Sequence, residues 1–123
     1  VICKPPVGVD TKRAYALADA ASKKESGFSA AMLDAVRKRD LGAVARNLGN
    51  EFEQVMHLAE AAHIKNAMLR HGALGACMTG SGSAVFGIFE EDGKAVSCQS
   101  ALKGVYPEAF VCEPASSGCL LQG

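Results

Sequence analysis

"GACMTGSGSAVFGIF", residues 75–89, decides how this chain is read. Two short apolar runs, "LGACMT" and "AVFGIFE", flank the glycine-serine stretch Gly80-Ser81-Gly82-Ser83. Apolar runs of this length on either side of a glycine-rich link predict a β-hairpin. The link carries almost no bulk, and its glycines permit positive φ and the close approach of a ligand or another backbone. Hydroxyls and exposed amides can hold an oxyanion. Three readings follow: a phosphate cradle, a serine nucleophile, or a tight turn between two strands.

Spacing removes two known chemistries of the cradle. Gly75 and Gly80 stand as the glycines of a Walker A loop do, but Ser81 occupies the position of its lysine, and a strand follows instead of a helix. The dinucleotide fingerprint fails because Val85 takes the place of its third glycine. The nucleophile elbow G-x-S-x-G fits neither serine: Thr79 replaces the first glycine for Ser81, and Ser81 replaces it for Ser83. What remains is either a hairpin turn or a small-residue wall. In the second case the amides and hydroxyls of Thr79, Gly80, Ser81, Gly82 and Ser83 face a phosphate or another backbone. Local chemistry leaves both open.

Outward from this stretch the pattern is helical on one side and mixed on the other. "VICKPPV" reads as a strand that its two prolines end. Asp10 is placed to cap a helix that carries Ala14, Leu17, Ala18 and Ala21. "KKESGF" breaks it, and Ser29 is the expected cap of a second helix with Met32, Leu33 and Val36 inward and Lys38 and Arg39 in its last turn. Asp40 opens a short helix, "LGAVARNL", that Gly49 closes. Asn50 and Glu53 have the spacing of a capping box, followed by an apolar face of Phe52, Val55, Met56 and Ala59. A further helical segment runs to about Arg70, where Gly72 is the expected stop. The central part thus holds three or four helices. Beyond the hairpin, "GKAVSCQSALKGV" reads as a helix with Val96, Ala101, Leu102 and Val105 inward, and "EAFVCEP" as a strand. The order strand, helices, strand, strand, helix, strand predicts an α+β ferredoxin-like split βαβ sandwich with extra helices in the first crossover.

Composition bounds the function. The chain has 123 residues, 49% hydrophobic and 21% charged, with 13 acidic and 13 basic side chains. A balanced charge and the lack of any basic block argue against nucleic acid or an anionic membrane as partner. The five cysteines are odd in number and none has C-x-x-C spacing, so free thiols in a reducing cytoplasm are expected, with Cys3 and Cys77 packed in strands. His57, His63 and His71 lack the i,i+4 spacing of a metal pair and read as solvated helix residues. The opening "VICKPPVG" lacks an initiator Met and reads as a strand entered partway, so an upstream part is expected.

"GALGACMTGSGSAVFGIF", residues 72–89, resembles the third signature motif of the GHMP kinases, the superfamily of galactokinase, homoserine kinase and mevalonate kinase. Within it the pattern is most similar to the family that phosphorylates 4-diphosphocytidyl-2-C-methyl-D-erythritol. "KPPVGVDTKRAY" (Lys4 to Tyr15) and "NEFE" (Asn50 to Glu53) agree with that family in order; Asp10 departs from it, standing where a serine is frequent. The resemblance implies a carboxy-terminal kinase domain over residues 1–114 and a flexible tail over 115–123. It implies that the amino-terminal ATP-binding domain, with its P-x-x-x-G-L-G-S-S loop and its catalytic Asp and Lys, is missing here.

The activity implied for the full-length protein is transfer of the ATP γ-phosphoryl group, with Mg²⁺, to the substrate's 2-hydroxyl in non-mevalonate isoprenoid synthesis in a bacterial cytoplasm. No catalytic or metal-ligating residue is assigned to this chain, and the domain alone is expected to bind neither ATP nor Mg²⁺. Residues 79–83 are the expected substrate- or phosphate-proximal loop. The missing domain is the expected partner, and an isolated chain is expected to be able to self-associate through the face so exposed. The rival readings are another GHMP kinase, of homoserine or mevalonate type, and an ACT-type regulatory domain. The last fits poorly, because more than sixty residues separate the first two strands here and such domains need only about a dozen per crossover.

Overall fold

The computed structural model describes residues 1–21 and 28–118. Four strands, β1 (Ile2–Lys4), β2 (Gly75–Met78), β3 (Val85–Ile88) and β4 (Glu108–Phe110), form one antiparallel sheet in the order β2-β3-β1-β4. The crossover from β1 to β2 skips β3, and that from β3 to β4 skips β1, which is the split βαβ arrangement. Register is set by Ile2 opposite both Phe86 and Phe110, and by Met78 opposite Val85.

The first crossover contains five helices among the described residues: α1 (Thr11–Ala20), α2 (Phe28–Arg37), α3 (Leu41–Arg46), α4 (Glu51–Met56) and α5 (Ala59–Arg70). α4 and α5 are separated by a break after Met56. There His57 takes a left-handed φ of 45°, and α5 starts after Leu58 with no side-chain cap. The expected continuous apolar face is divided by that turn, and His57 closes α4 instead of riding on a helix. The second crossover is α6 (Asp92–Lys103).

One face of the sheet packs on α5 and α6. Cys3, Ala76, Met78, Val85 and Ala109 meet Ile64, Met68, Ala95, Cys98 and Leu102 in a single core. Gly87 lets α5 approach β3, since a Cβ there would lie 2.9 Å from Met68 Sδ. Both faces of β2 are buried, because α3 covers the outer one; a Cβ on Gly75 would collide with the carbonyl of Ala45. Cys3, Cys77 and Cys98 are buried free thiols, as small hydrophobes in strands and helices should be, and Cys112 is exposed.

Helix ends follow local chemistry. Asp10 caps α1 through Arg13 N–H at 3.2 Å, and Asp40 caps α3 through Ala43 N–H at 2.8 Å. Gly72 ends α5 with φ 91°; its N–H reaches Leu69 O and that of Ala73 reaches Met68 O, a Schellman closure.

Several expectations are corrected. Ser29 does not cap α2, which already includes Phe28; of the breaker segment, residues 23–27 lie outside the described residues. Leu33 and Val36 are 50% and 56% exposed, and small Ala35 is buried instead. Lys38 and Arg39 follow the helix, with Arg39 in the left-handed region at φ 55°, and Arg37 is the cation of the last turn. α3 stops at Arg46 because the Asn47 side chain donates back to Ala43 O at 2.8 Å. In α6 the buried stripe is Ala95, Cys98 and Leu102, while Val96, Ala101 and Val105 turn outward. β4 ends at Phe110, short of the expected Pro114. Of the expected tail, residues 119–123 lie outside the described residues.

Two glycines should respond in opposite directions. Gly75→Ala drives a methyl into the α3 backbone and is expected to cost about 1–3 kcal/mol or more. Gly93→Ala, in the first turn of α6 with nothing within 4 Å of the added Cβ, is expected to stabilise by about 0.4–1 kcal/mol. Urea denaturation of the two variants beside the parent chain checks both signs.

Candidate functional site

Residues 79–84 join β2 to β3 as a turn held by two backbone bonds, Thr79 N–H to Ala84 O at 2.9 Å and Gly82 N–H to Thr79 O at 3.0 Å. Gly80 and Gly82 have φ of 55° and 94°, so both positions require the conformational freedom of glycine. Nothing lies within 4 Å of where a Gly80 Cβ would be, so the loop's outer side is bare backbone. A Gly82 Cβ would lie 2.6 Å from Met78 Sδ and 3.3 Å from Leu58 Cδ1, so that glycine also serves packing.

The three hydroxyls of the loop are not equivalent. Ser83 is buried and its Oγ donates to Val7 O at 2.5 Å, tying the hairpin to the segment after β1. That bond holds the hairpin in place, and the buried side chain does not join an open surface. Ser81 Oγ is exposed and lies 3.4 Å from Thr11 Oγ1 at the start of α1. Thr79 and Gly80 line a cleft of about 370 Å³ whose walls include Ser29, Met32, Leu48 and Phe86. The structure therefore brings Thr79, Gly80 and Ser81 to one accessible edge and withdraws Ser83 from it.

Behind the loop stands a pair of side chains whose reach was not visible in the sequence. Asn50 caps α4, its Oδ1 accepting from Phe52 N–H at 2.8 Å and Glu53 N–H at 3.4 Å. Its Nδ2 donates to Met78 O at 2.7 Å and to Gly80 O at 2.8 Å. Glu53 does not fold back to complete a capping box. Its carboxylate crosses to β2 instead, accepting from Met78 N–H at 3.2 Å, from Cys77 Sγ at 3.3 Å and from Lys65 Nζ at 2.8 Å. β2 is an edge strand, and at Met78 both backbone groups are satisfied by side chains of α4. α4 itself is braced by Tyr15 of α1 standing edge-on to Phe52, with ring centroids 5.1 Å apart. The capping spacing was the one available signal, and it located Asn50 correctly while giving Glu53 the wrong partner.

Electrostatics follow the same contacts. Burial alone would raise the Glu53 carboxyl, but the hydrogen bonds from Lys65, Met78 N–H and Cys77 outweigh it and hold it below its ordinary 4.5. Burial, with the Glu53 charge beside it, pushes the Cys77 thiol up to about 12, and burial takes Cys3 to about 11. Neither is a nucleophile at neutral pH. Among the described residues no group of three or more His, Cys, Asp or Glu side chains could hold a metal ion. No helix among them is long and apolar enough to cross a membrane.

Residues 32–108 match the family model described as GHMP kinases C terminal. The chain belongs to the GHMP kinase C-terminal family. Among curated relatives, the domain is 33% identical to the 4-diphosphocytidyl-2-C-methyl-D-erythritol kinase of Caldanaerobacter subterraneus subsp. tengcongensis, covering 96% of this chain and 42% of the relative. It is 35% identical to the enzyme of the same name from Geobacillus thermodenitrificans, covering 89% of this chain and 38% of the relative. The GHMP kinase domain thus spans about two-fifths of the length of these relatives. A crystal structure of 4-(cytidine 5'-diphospho)-2C-methyl-D-erythritol kinase superposes with a TM-score of 0.63 at 23% identity, over 85% of this chain and 38% of that one. Homoserine kinase from Cytophaga hutchinsonii superposes equally, with a TM-score of 0.63 at 23% identity over 84% of this chain and 35% of that one. Both establish the ferredoxin-like fold expected of a GHMP kinase C-terminal domain.

Two measurements test the site's chemistry. Glu53 binds its proton less readily folded than unfolded, so the stability it contributes is complete above 4.5 and is lost as pH falls through its depressed folded value. Glu53→Gln should destabilise the chain at neutral pH by about 1–3 kcal/mol, through the loss of charged hydrogen bonds to Lys65 and Met78. It should also flatten the loss of stability on acidification below 4.5, as read by urea midpoints over a pH series. Alkylation of native protein followed by mass mapping should label Cys112 well before Cys3, Cys77 or Cys98.

Proposed function

We propose that this chain is the carboxy-terminal domain, residues 1–114 with a tail over 115–123, of an ATP-dependent kinase. Its substrate is 4-diphosphocytidyl-2-C-methyl-D-erythritol, phosphorylated at the 2-hydroxyl in non-mevalonate isoprenoid synthesis in a bacterial cytoplasm. What carries the substrate assignment is that relatives bearing that enzyme's name cover 96% and 89% of the chain. What carries the domain's place in the reaction is the bare backbone edge at Thr79, Gly80 and Ser81, opening beside a cleft of about 370 Å³. Homoserine kinase shares the fold at the same TM-score, so the choice between substrates rests on the sequence relatives.

ATP and Mg²⁺ belong with the amino-terminal part of the longer protein, the proposed partner of this domain. When bound there, they supply the phosphoryl group and the charge that neutralises it in transfer. This chain's residues do the positioning. The glycines at 80 and 82 keep the loop free of side-chain bulk, so it makes a wall against which the partner domain's phosphate-holding segment packs closely. Met32, Leu48 and Phe86 give the neighbouring cleft an apolar floor, suited to excluding water beside that wall. The same face, uncovered in an isolated chain, is the surface through which two copies would pair.

The full-length protein should release ADP from ATP in the presence of 4-diphosphocytidyl-2-C-methyl-D-erythritol and not of homoserine. The 123-residue chain alone should release none above blank with either alcohol. Reversed preference in the full-length protein would move the reading to a homoserine-type kinase.

Small size at the loop should matter more than any single hydroxyl. Ser81→Ala in the full-length protein should cost at most about 1 kcal/mol of transition-state binding, the worth of one hydrogen bond. Gly82→Val meets Met78 and a positive φ, with strain of about 1–3 kcal/mol. The resulting displacement of the wall by about 1 Å should lower kcat/KM by about a hundredfold. Equal losses in the two variants would assign the chemistry to the Ser81 hydroxyl instead.

A further inference from the structure

Asp, Ser and Asn are about equally good helix caps, because each offers one oxygen to the free N–H groups of the first turn. Only a carboxamide also offers two N–H donors. At residue 50 all four hydrogen-bonding positions of the side chain are used: two on the oxygen by Phe52 and Glu53, two on the nitrogen by Met78 O and Gly80 O. The cap accounts for half of this residue. The other half is directed at a loop thirty residues away in sequence.

The two carbonyls it holds flank Thr79, the point at which β2 becomes the loop. The loop's own bonds close the turn on itself but do not place it against the rest of the domain. Ser83 ties the β3 end of the loop to Val7, and Ser81 reaches Thr11 at 3.4 Å; at the β2 end, where Gly80 has no packing on its outer side, the tether runs through the Gly80 carbonyl. The other end of the tether is firm: α4 is braced by the Tyr15–Phe52 contact and by the Glu53–Lys65 ion pair at 2.8 Å.

We propose that Asn50 is a positioning residue for the Gly80–Gly82 loop, its two amide hydrogens setting the loop's distance from α4 while its oxygen caps that helix. It contacts the reacting groups only through the loop. The consequence for catalysis rests on the kinase reading; the consequence for the loop does not.

Asn50→Asp and Asn50→Ser separate the two halves, since both keep a capping oxygen and lose both amide N–H donors, and the single serine hydroxyl cannot bridge two carbonyls. Hydrogen exchange and steady-state kinetics are measured on the same full-length samples. In both variants the Thr79 and Gly82 amides should exchange about tenfold faster or more, while the α4 amides of Phe52 and Glu53 keep their protection. With the loop loosened, kcat should fall by about tenfold or more at nearly unchanged KM for ATP. Should the aspartate, with its charge against two carbonyls, prevent folding, the neutral serine variant carries the test. Parental loop exchange in a folded variant would leave Asn50 a cap only and overturn the proposal. So would faster loop exchange with parental kcat, or equal deprotection of loop and α4 together. If the parent protein transfers no phosphoryl group, the kinase reading falls and the exchange result alone decides the tether.

Discussion

The end of β2 has no neighbouring strand on its free side, and a backbone left bare there would be both costly and adhesive. α4 removes the problem with two side chains. Asn50 takes the Met78 carbonyl and Glu53 takes the Met78 N–H, so the last residue of the edge strand is bonded as if a further strand lay beside it. Much else depends on this contact. It fixes α4 against the sheet, and Lys65 joins α5 to the same carboxylate. It also closes the sheet edge at the point where the chain leaves it for the glycine-serine loop.

This arrangement explains the break between α4 and α5. A continuous helix from Glu51 to Arg70 could not both lie under the sheet, as Ile64 and Met68 do, and turn its first residues toward the end of β2. The left-handed turn at His57 allows two directions from one helical stretch. Such a φ is strained in a non-glycine residue, and it sits beside the site.

The architecture was legible because its signals are local and periodic. Pro5 after β1, Asp10 and Asp40 as caps, Gly72 as a Schellman stop, and two apolar runs around a glycine link all report structure within a few residues of themselves. The errors share a different cause. Arg39 and His57 adopt left-handed angles that their identity does not announce, so helix ends were misplaced there. Leu33, Val36 and Val96 have the size and spacing of core residues, yet small neighbours face inward, because close helix approach selects alanine and cysteine over larger side chains. In the site, Asn50 was visible as a cap. Its second pair of bonds, and the crossing of Glu53 to Cys77 and Met78, depend on a strand twenty-five residues away and leave no trace in spacing. Ser83 was grouped with the open loop for the same reason, its true partner being Val7.

A surface made of bare backbone poses a particular physical problem. Glycines at 80 and 82 let another chain or a phosphate come close, but they also remove the side-chain packing by which a loop is ordinarily held, and glycine loses the most conformational freedom on ordering. Side chains on the loop's outer side could restrain it only by occupying the space that the glycines keep clear. The restraint must come from behind. Ser83 supplies it at the β3 end through Val7, and Asn50 at the β2 end through Met78 and Gly80. Gly82 lies between them, leaning on Met78 and Leu58. The result is a loop held at both ends from its inner side, with Gly80 open to accept whatever the rest of the longer protein brings to it.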